Sequence, residues 1–124
     1  MKGRIIFQGK VFENNWPTLI TTNGGFDVRF ELFNLDNSKF DLNGYELYFK
    51  ARKIALPNEC QPTSNQIDSL CNIIDTTSGV SIYTFTTSDL NVYGKFETEL
   101  EAVNTSENVI ISTKMGELSI KQNL

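Results

Sequence analysis

The chain has 124 residues, 40% of them hydrophobic and 21% charged, with a formal net charge of −4. That fits one globular domain able to bury roughly two-thirds of its unfolded surface, and it is too apolar for intrinsic disorder. It has no histidine and only two cysteines, Cys60 and Cys71, which removes the usual general base, the Ser/His and Cys/His nucleophile pairs and a four-ligand zinc site.

The N-terminal residues 1–23 contain the short apolar runs Arg4-Ile5-Ile6-Phe7 and Val11-Phe12, then Trp16-Pro17-Thr18-Leu19-Ile20, broken by Gly9 and Asn14-Asn15. Two readings stand. One is a first strand on a sheet edge with a bulge at Gly9; the other is an arm that packs on a neighbouring molecule. Trp16, the only tryptophan, reads more readily as a core or edge plug than as a ligand platform. Asn23-Gly24-Gly25 is a turn signal. It leads into the stretch on which the chain is organised, residues 24–54.

In that stretch Phe26, Val28, Phe30 and Leu32 alternate with Asp27, Arg29 and Glu31, and Tyr45, Leu47, Phe49 and Ala51 alternate with Glu46, Tyr48, Lys50 and Arg52. A period of two gives each run one apolar and one charged face. The Asn/Asp/Ser/Gly clusters between them, 35–39 and 41–44, are turn chemistry. The two runs are expected to form an antiparallel pair covered by a second apolar layer.

Residues 57–69 follow neither helical nor strand periodicity and are predicted to be a long loop, either a partner contact or a plain insertion. Apolar character returns over 69–74 (Leu70, Cys71, Ile73, Ile74), then Asp75 to Gly79 is a turn and Val80 to Thr86 a strand. Thr87 to Asn91 is read as one helical turn capped by Thr87 or Ser88. Lys95 to Val103 is a strand, Asn104 to Asn108 a hairpin loop, and Val109 to Lys114 and Glu117 to Lys121 are strands broken at Gly116. Strand signals at intervals of about ten residues point to an all-β antiparallel sandwich of about seven to nine strands. Phe30, Leu32, Leu47, Phe49, Ile82, Phe96, Leu100 and Leu118 are its predicted core.

Little in this pattern carries chemistry. Glu97, Glu99 and Glu101 form a row about 7 Å apart along one strand face, which offers no converging cage for a hard cation. Such a row reads as a solvated face paired with Lys50 and Arg52 on an adjacent strand. Asp36 and Asp41 sit where turns favour aspartate, not as a catalytic carboxylate pair. Asn104-Thr105-Ser106 is a glycosylation sequon, without meaning in an unsecreted protein. Tyr48, Tyr83 and Tyr93 are possible sugar-stacking rings, yet aromatics are also favoured strand residues. No glycine-rich phosphate loop precedes a helix.

The eleven basic residues are scattered, against the massed charge of a nucleic-acid binder. No apolar run approaches the ~20 residues that span a bilayer. Residues 1–20 lack the form of a signal peptide, so the protein is expected to stay, or be assembled, in a cytoplasm with both thiols reduced. No metal, cofactor or catalytic residue is expected.

Two passages together carry a resemblance. The first runs from Phe26 toward Lys53 and includes the turn Asp41-Leu42-Asn43-Gly44-Tyr45. The second is Gly79 to Leu90, a strand with Tyr83 and a short helical turn, followed by Gly94-Lys-Phe-Glu-Thr-Glu-Leu-Glu-Ala102. In order and spacing these are similar to the immunoglobulin-like domains of tailed-bacteriophage virion proteins, including the N-terminal domain of baseplate upper proteins. The similarity covers residues 24–121; the segment 57–74 and the first 20 residues depart from the pattern. It implies an immunoglobulin-like sandwich over 24–124, preceded by an N-terminal strand or arm over 1–23, within a single domain.

It also implies a non-enzymatic virion protein present in multiple copies, contacting other virion proteins and neither nucleic acid nor membrane. The sequence stops at Leu124, just after its last predicted strand, so a capsid auxiliary role is expected ahead of a tail, baseplate or fibre-attachment one. The competing class is a carbohydrate-binding module for host-surface glycan. Arg4, Ile5, Phe7, Phe12, Trp16, Leu56, Ile67 and Leu70 are the expected partner-binding residues, from the two segments a small domain is least able to cover.

Overall fold

Period-two alternation makes strands throughout the chain. Residues 1–20, 25–60 and 64–122 are described in a computed structural model of the protein. The strands are β1 (Lys2–Phe7), β2 (Lys10–Phe12), β3 (Leu19–Ile20), β4 (Phe26–Phe33), β5 (Glu46–Lys53), β6 (Ile67–Leu70), β7 (Asn72–Asp75), β8 (Val80–Phe85), β9 (Gly94–Asn104) and β10 (Val109–Lys121). The ten strands exceed the expected seven to nine, because the N-terminal segment holds three short ones and 67–75 divides into two.

The first sheet has the order β2-β1-β4-β8-β7 and the second β3-β10-β9-β5-β6. Only the β3–β10 pairing is parallel among the described strands. Setting β1-β4-β8-β7 against β10-β9-β5-β6 reproduces the connectivity of an immunoglobulin sandwich.

Strands β4 and β5 do not form the expected antiparallel pair; they lie in opposite sheets. The link between them folds into its own turns and carries the chain over the end of the sandwich. Asp36 accepts from the Ser38 amide at 2.9 Å, and Asp41 from the Asn43 amide at 2.9 Å. The apolar faces of the two strands therefore cover each other, and Phe30 and Phe49 stack with ring centroids 5.5 Å apart.

Phe30, Leu32, Leu47, Phe49, Phe96, Leu100 and Leu118 are buried as expected, each at 0% exposure. Ile82 is not part of this set. It sits half-buried on the outer side of β8, opposite Arg29, because Tyr83 and Phe85 share the other parity and both point inward. Two aromatic rings outweigh one isoleucine in choosing the face. Ser81 is carried into the core with them, and its Oγ has no hydrogen-bond partner.

The N-terminal segment is neither a plain edge strand nor a detached arm. Gln8 and Gly9 both have positive φ, 51° and 77°, the signature of a two-residue type I′ hairpin turn rather than a bulge. This turn joins β1, paired with β4, to the edge strand β2. Past Asn14 the chain crosses to the other sheet and runs beside the end of β10. On the way Trp16 drops between the sheets, 8% exposed, with its ring 5.8 Å from Phe30, 5.6 Å from Phe49 and 6.1 Å from Phe85.

Its indole N–H donates to Thr98 Oγ1 at 3.0 Å, and Thr98 donates to the Gly116 carbonyl at 2.7 Å. Gly116 lies at the β-bulge of β10 with φ +89°, and a Cβ there would stand 2.4 Å from the Asn14 carbonyl oxygen. Only glycine lets the crossing chain come this close.

The predicted 57–69 loop is shorter than expected at its far end, because β6 begins at Ile67. Its residues 61–63 lie outside the described part. Cys71 alone separates β6 in the second sheet from β7 in the first, with its amide bonded to the Leu47 carbonyl at 2.7 Å.

Trp16→Ala is expected to cost about 3–5 kcal/mol in urea unfolding, and Trp16→Phe about 0.5–1.5 kcal/mol from the lost hydrogen bond. An unchanged midpoint for Trp16→Ala would remove the plug from this account. Ser81→Ala should be neutral or stabilising by about 1 kcal/mol, since it deletes an unsatisfied buried hydroxyl; a clear loss of stability would show that Ser81 has a partner after all.

Candidate interaction surface

The sandwich sorts the expected contact residues into two groups. Ile5, Trp16 and Ile67 are core side chains at 0%, 8% and 2% exposure, and they offer a partner nothing unless the domain opens. The parity of β1 and β6 turns Ile5 and Ile67 inward, and the hydrogen bond to Thr98 holds Trp16.

Phe7 and Phe12 are half-buried against the same core, Phe7 packing on Phe26 at 5.5 Å. Arg4 is engaged on its own sheet: its guanidinium reaches Glu31 at 2.6 Å and stands 4.9 Å from the centre of the Phe33 ring. Leu56 and Leu70 are exposed, at 66% and 56%.

Other exposed apolar side chains were not picked out by the sequence reading. Ile74 lies in β7, and Leu35, Val11 and Ile110 are also open. Ile110 had a visible signal. Val109-Ile110-Ile111 is an unbroken apolar triplet, and in a strand its middle residue must face away from its neighbours. Strands β6 and β7 end the two sheets on one side of the sandwich. Leu70 and Ile74 thus stand exposed on these two edge strands, on either side of the buried Cys71, whereas Leu56 lies beyond the other end of β5.

The outer face of the second sheet is charged, as the glutamate row suggested. Glu97, Glu99 and Glu101 stand opposite Arg52, Lys50 and Tyr48. Lys50 pairs with Glu101 at 3.2 Å and with Asp68 at 4.0 Å. A shallow groove of about 310 Å³ there is lined by both signs, including Lys50, Arg52, Glu97, Glu99 and Lys114, so it favours neither cation nor anion.

The aspartates of the turns, Asp36 of the weighed pair among them, have structural employment. Hydrogen bonds from Ser38 hold Asp36 below its ordinary pKa, and those from Ser78 do the same for Asp75. Asp89 accepts from the Thr86 amide at 2.9 Å while Thr86 Oγ1 accepts from the Asp89 amide at 3.2 Å. Ser88, one of the two expected caps, stands at the N-cap of the helical turn Asp89–Asn91 without a side-chain cap bond, and the reciprocal Thr86–Asp89 pair braces the turn. Asp89 also accepts from the Tyr83 hydroxyl at 2.6 Å.

Tyr83 is thus a core residue and no sugar platform. Tyr48 sits opposite Glu101, and Tyr93 precedes the far end of β9, about 25 Å away along the strand, so the two do not form one stacking surface. The sequon asparagine is 6% exposed and its Oδ1 accepts from Ser106 Oγ and the Glu107 amide, bracing the β9–β10 loop. Among the described residues no cluster of three or more His, Cys, Asp or Glu side chains could hold a metal, and no helix is long and apolar enough to cross a membrane. Compared with known proteins, the sequence matches no family model and no curated protein.

Both cysteines are free thiols, Cys60 exposed and Cys71 buried. Burial pushes the Cys71 thiol up to about 12 from 9.0, and burial with the Asp89 hydrogen bond raises Tyr83 as well. The fold favours the neutral form of both groups. Their contribution is therefore fully present below the unfolded pKa and lost as pH climbs toward the folded one. Stability is expected to fall from about pH 9 upward, and Cys71→Val should lessen that fall in alkaline unfolding curves. A thiol reagent should modify Cys60 at once and Cys71 only on unfolding. Equal rates for the two would contradict the burial of Cys71.

Proposed function

We propose that this chain is a non-enzymatic structural protein of a tailed-bacteriophage virion, most naturally a capsid auxiliary protein, which binds other virion proteins through exposed apolar side chains on a rigid sandwich. The observation that carries the reading is the exposure of Leu70 and Ile74, 56% and 46%, on the two strands β6 and β7 at which the sheets end. Two further observations agree with it. The immunoglobulin connectivity is what the similarity to phage domains implies, and Asp36 and Asp41, the pair weighed for catalysis, are committed to turns. The resemblance itself extends to capsid, fibre-attachment and baseplate proteins alike.

Purified particles examined by proteomics and cryo-electron microscopy test the reading, because copy number and position separate capsid, neck and baseplate. The protein should be present in many copies, its contacts burying more than about 1,000 Å², with Leu70 and Ile74 inside them. Leu70→Asp should lower incorporation without lowering the unfolding temperature. Absence from particles ends the virion reading, and binding of host polysaccharide by the isolated chain would favour the carbohydrate-binding class.

A further inference from the structure

Sheet edges expose unpaired backbone groups, and proteins guard them with short strands, charge, proline or bulges. Three edges here are guarded by brevity: β2 has three residues, and β6 and β7 have four each, β7 with an irregular register. The fourth is different. Strand β3 pairs with β10 only at Ile120 and Lys121, and the crossing chain stays close as far back as Asn14 beside Gly116. There Asn14 takes a positive φ of 61° and the chain leaves for β2. From Val109 to Lys114, β10 pairs with β9 on one side and with no described strand on the other. The run Val109-Ile110-Ile111-Ser112-Thr113 has no charge, proline or bulge, and Ile110 is 65% exposed.

We propose that this edge is a homodimer interface, in which β10 pairs antiparallel with β10 of a second copy about a two-fold axis at Ile111. A strand meeting itself around a two-fold axis needs no foreign sequence, only a register in which its own side chains match. In a continuous sheet, paired residues must point to the same face, so the axis passes through a residue, and the open stretch allows Ile111 or Ser112.

With the axis at Ile111, the β-branched Val109 and Thr113 face each other and Ile110 faces Ser112. The two Ile110 side chains then lie diagonally within reach on the outer face, each beside Val103 of its own β9. With the axis at Ser112, each Ile110 would face Lys114 and have no apolar neighbour across the seam. The first register also ends where the strand ends, placing Lys114 opposite Asn108, whose φ of 57° closes the hairpin loop. Self-pairing is favoured over a foreign strand because this register gives the most exposed apolar residue of the edge an apolar partner.

The proposal goes beyond the virion reading and stands without it, since it concerns purified protein. A seam of this length is small for a protein interface, so the dimer should be weak and strongly concentration-dependent. Sedimentation of the whole chain, carrying Cys60→Ser, tests it from micromolar to millimolar concentration. A monomer–dimer equilibrium is expected, weakened about tenfold or more by Ile110→Lys, which sets two like charges diagonally across the seam. Thermal unfolding verifies that this exposed substitution leaves the fold intact. Under a mild oxidant Ile111→Cys should form a disulfide-linked dimer faster than Ser112→Cys. The proposal is overturned by a monomer throughout the range, by a dimer indifferent to Ile110→Lys, or by preferential cross-linking at position 112.

Discussion

An indole ring buried between two sheets needs apolar surface on its faces and one acceptor for its N–H. Trp16 finds Phe30, Phe49 and Phe85 for the first requirement and Thr98 for the second. A hydroxyl carries one proton and two lone pairs, so accepting from the indole frees Thr98 to donate onward to the Gly116 carbonyl. That carbonyl is accessible at a bulge, and the bulge residue is glycine because Asn14 passes against it. Four features with no obvious sequence relation, a lone tryptophan, a threonine among glutamates, a bulge and a glycine, answer to one constraint. It ties an N-terminal segment that starts in one sheet to the last two strands of the other.

The surface divides between polar groups that serve the fold and apolar groups left at its margins. Polar chemistry is spent on structure: Asp36, Asp41 and Asp75 hold turns, Asp89 closes a helical turn and restrains Tyr83, and Asn104 braces a hairpin. The charged face of the second sheet is internally matched through Lys50, Glu101 and Asp68, and exposed pairs of this kind contribute little stability. Unmatched apolar groups are confined to margins and loops.

Much of the architecture was legible in the sequence because period-two alternation is a local property. Phe30 and Leu47 were placed on buried faces by their neighbours alone. Pairing is not local, and that is where the reading failed: nothing in 26–51 says that β4 and β5 oppose each other across a core instead of lying side by side. Ile82 was misplaced because its hydrophobicity was weighed alone, whereas Tyr83 and Phe85 decide the face together. Trp16 was correctly seen as a plug, yet it and Ile5 were also put forward as contact residues. Their burial depends on β10, more than a hundred positions downstream of Ile5. Leu56 and Leu70 were identified as exposed apolar residues, while Ile110 escaped notice because its strand was judged only by its apolar content.

The bond from Trp16 to Thr98 spans 82 residues of sequence, and β3 lies beside the closing residues of β10. During synthesis the first sheet's hairpin and β4 emerge early, but the indole has no acceptor until β9 is made and no seat until β10 follows. Until then Phe30, Phe49 and Phe85 face one another without their central ring, a partly assembled core of the kind chaperones and aggregation compete for. Long-range closure of this sort also slows folding once the chain is complete. The sandwich therefore closes only once β10 has been made, and its assembly is governed by that strand.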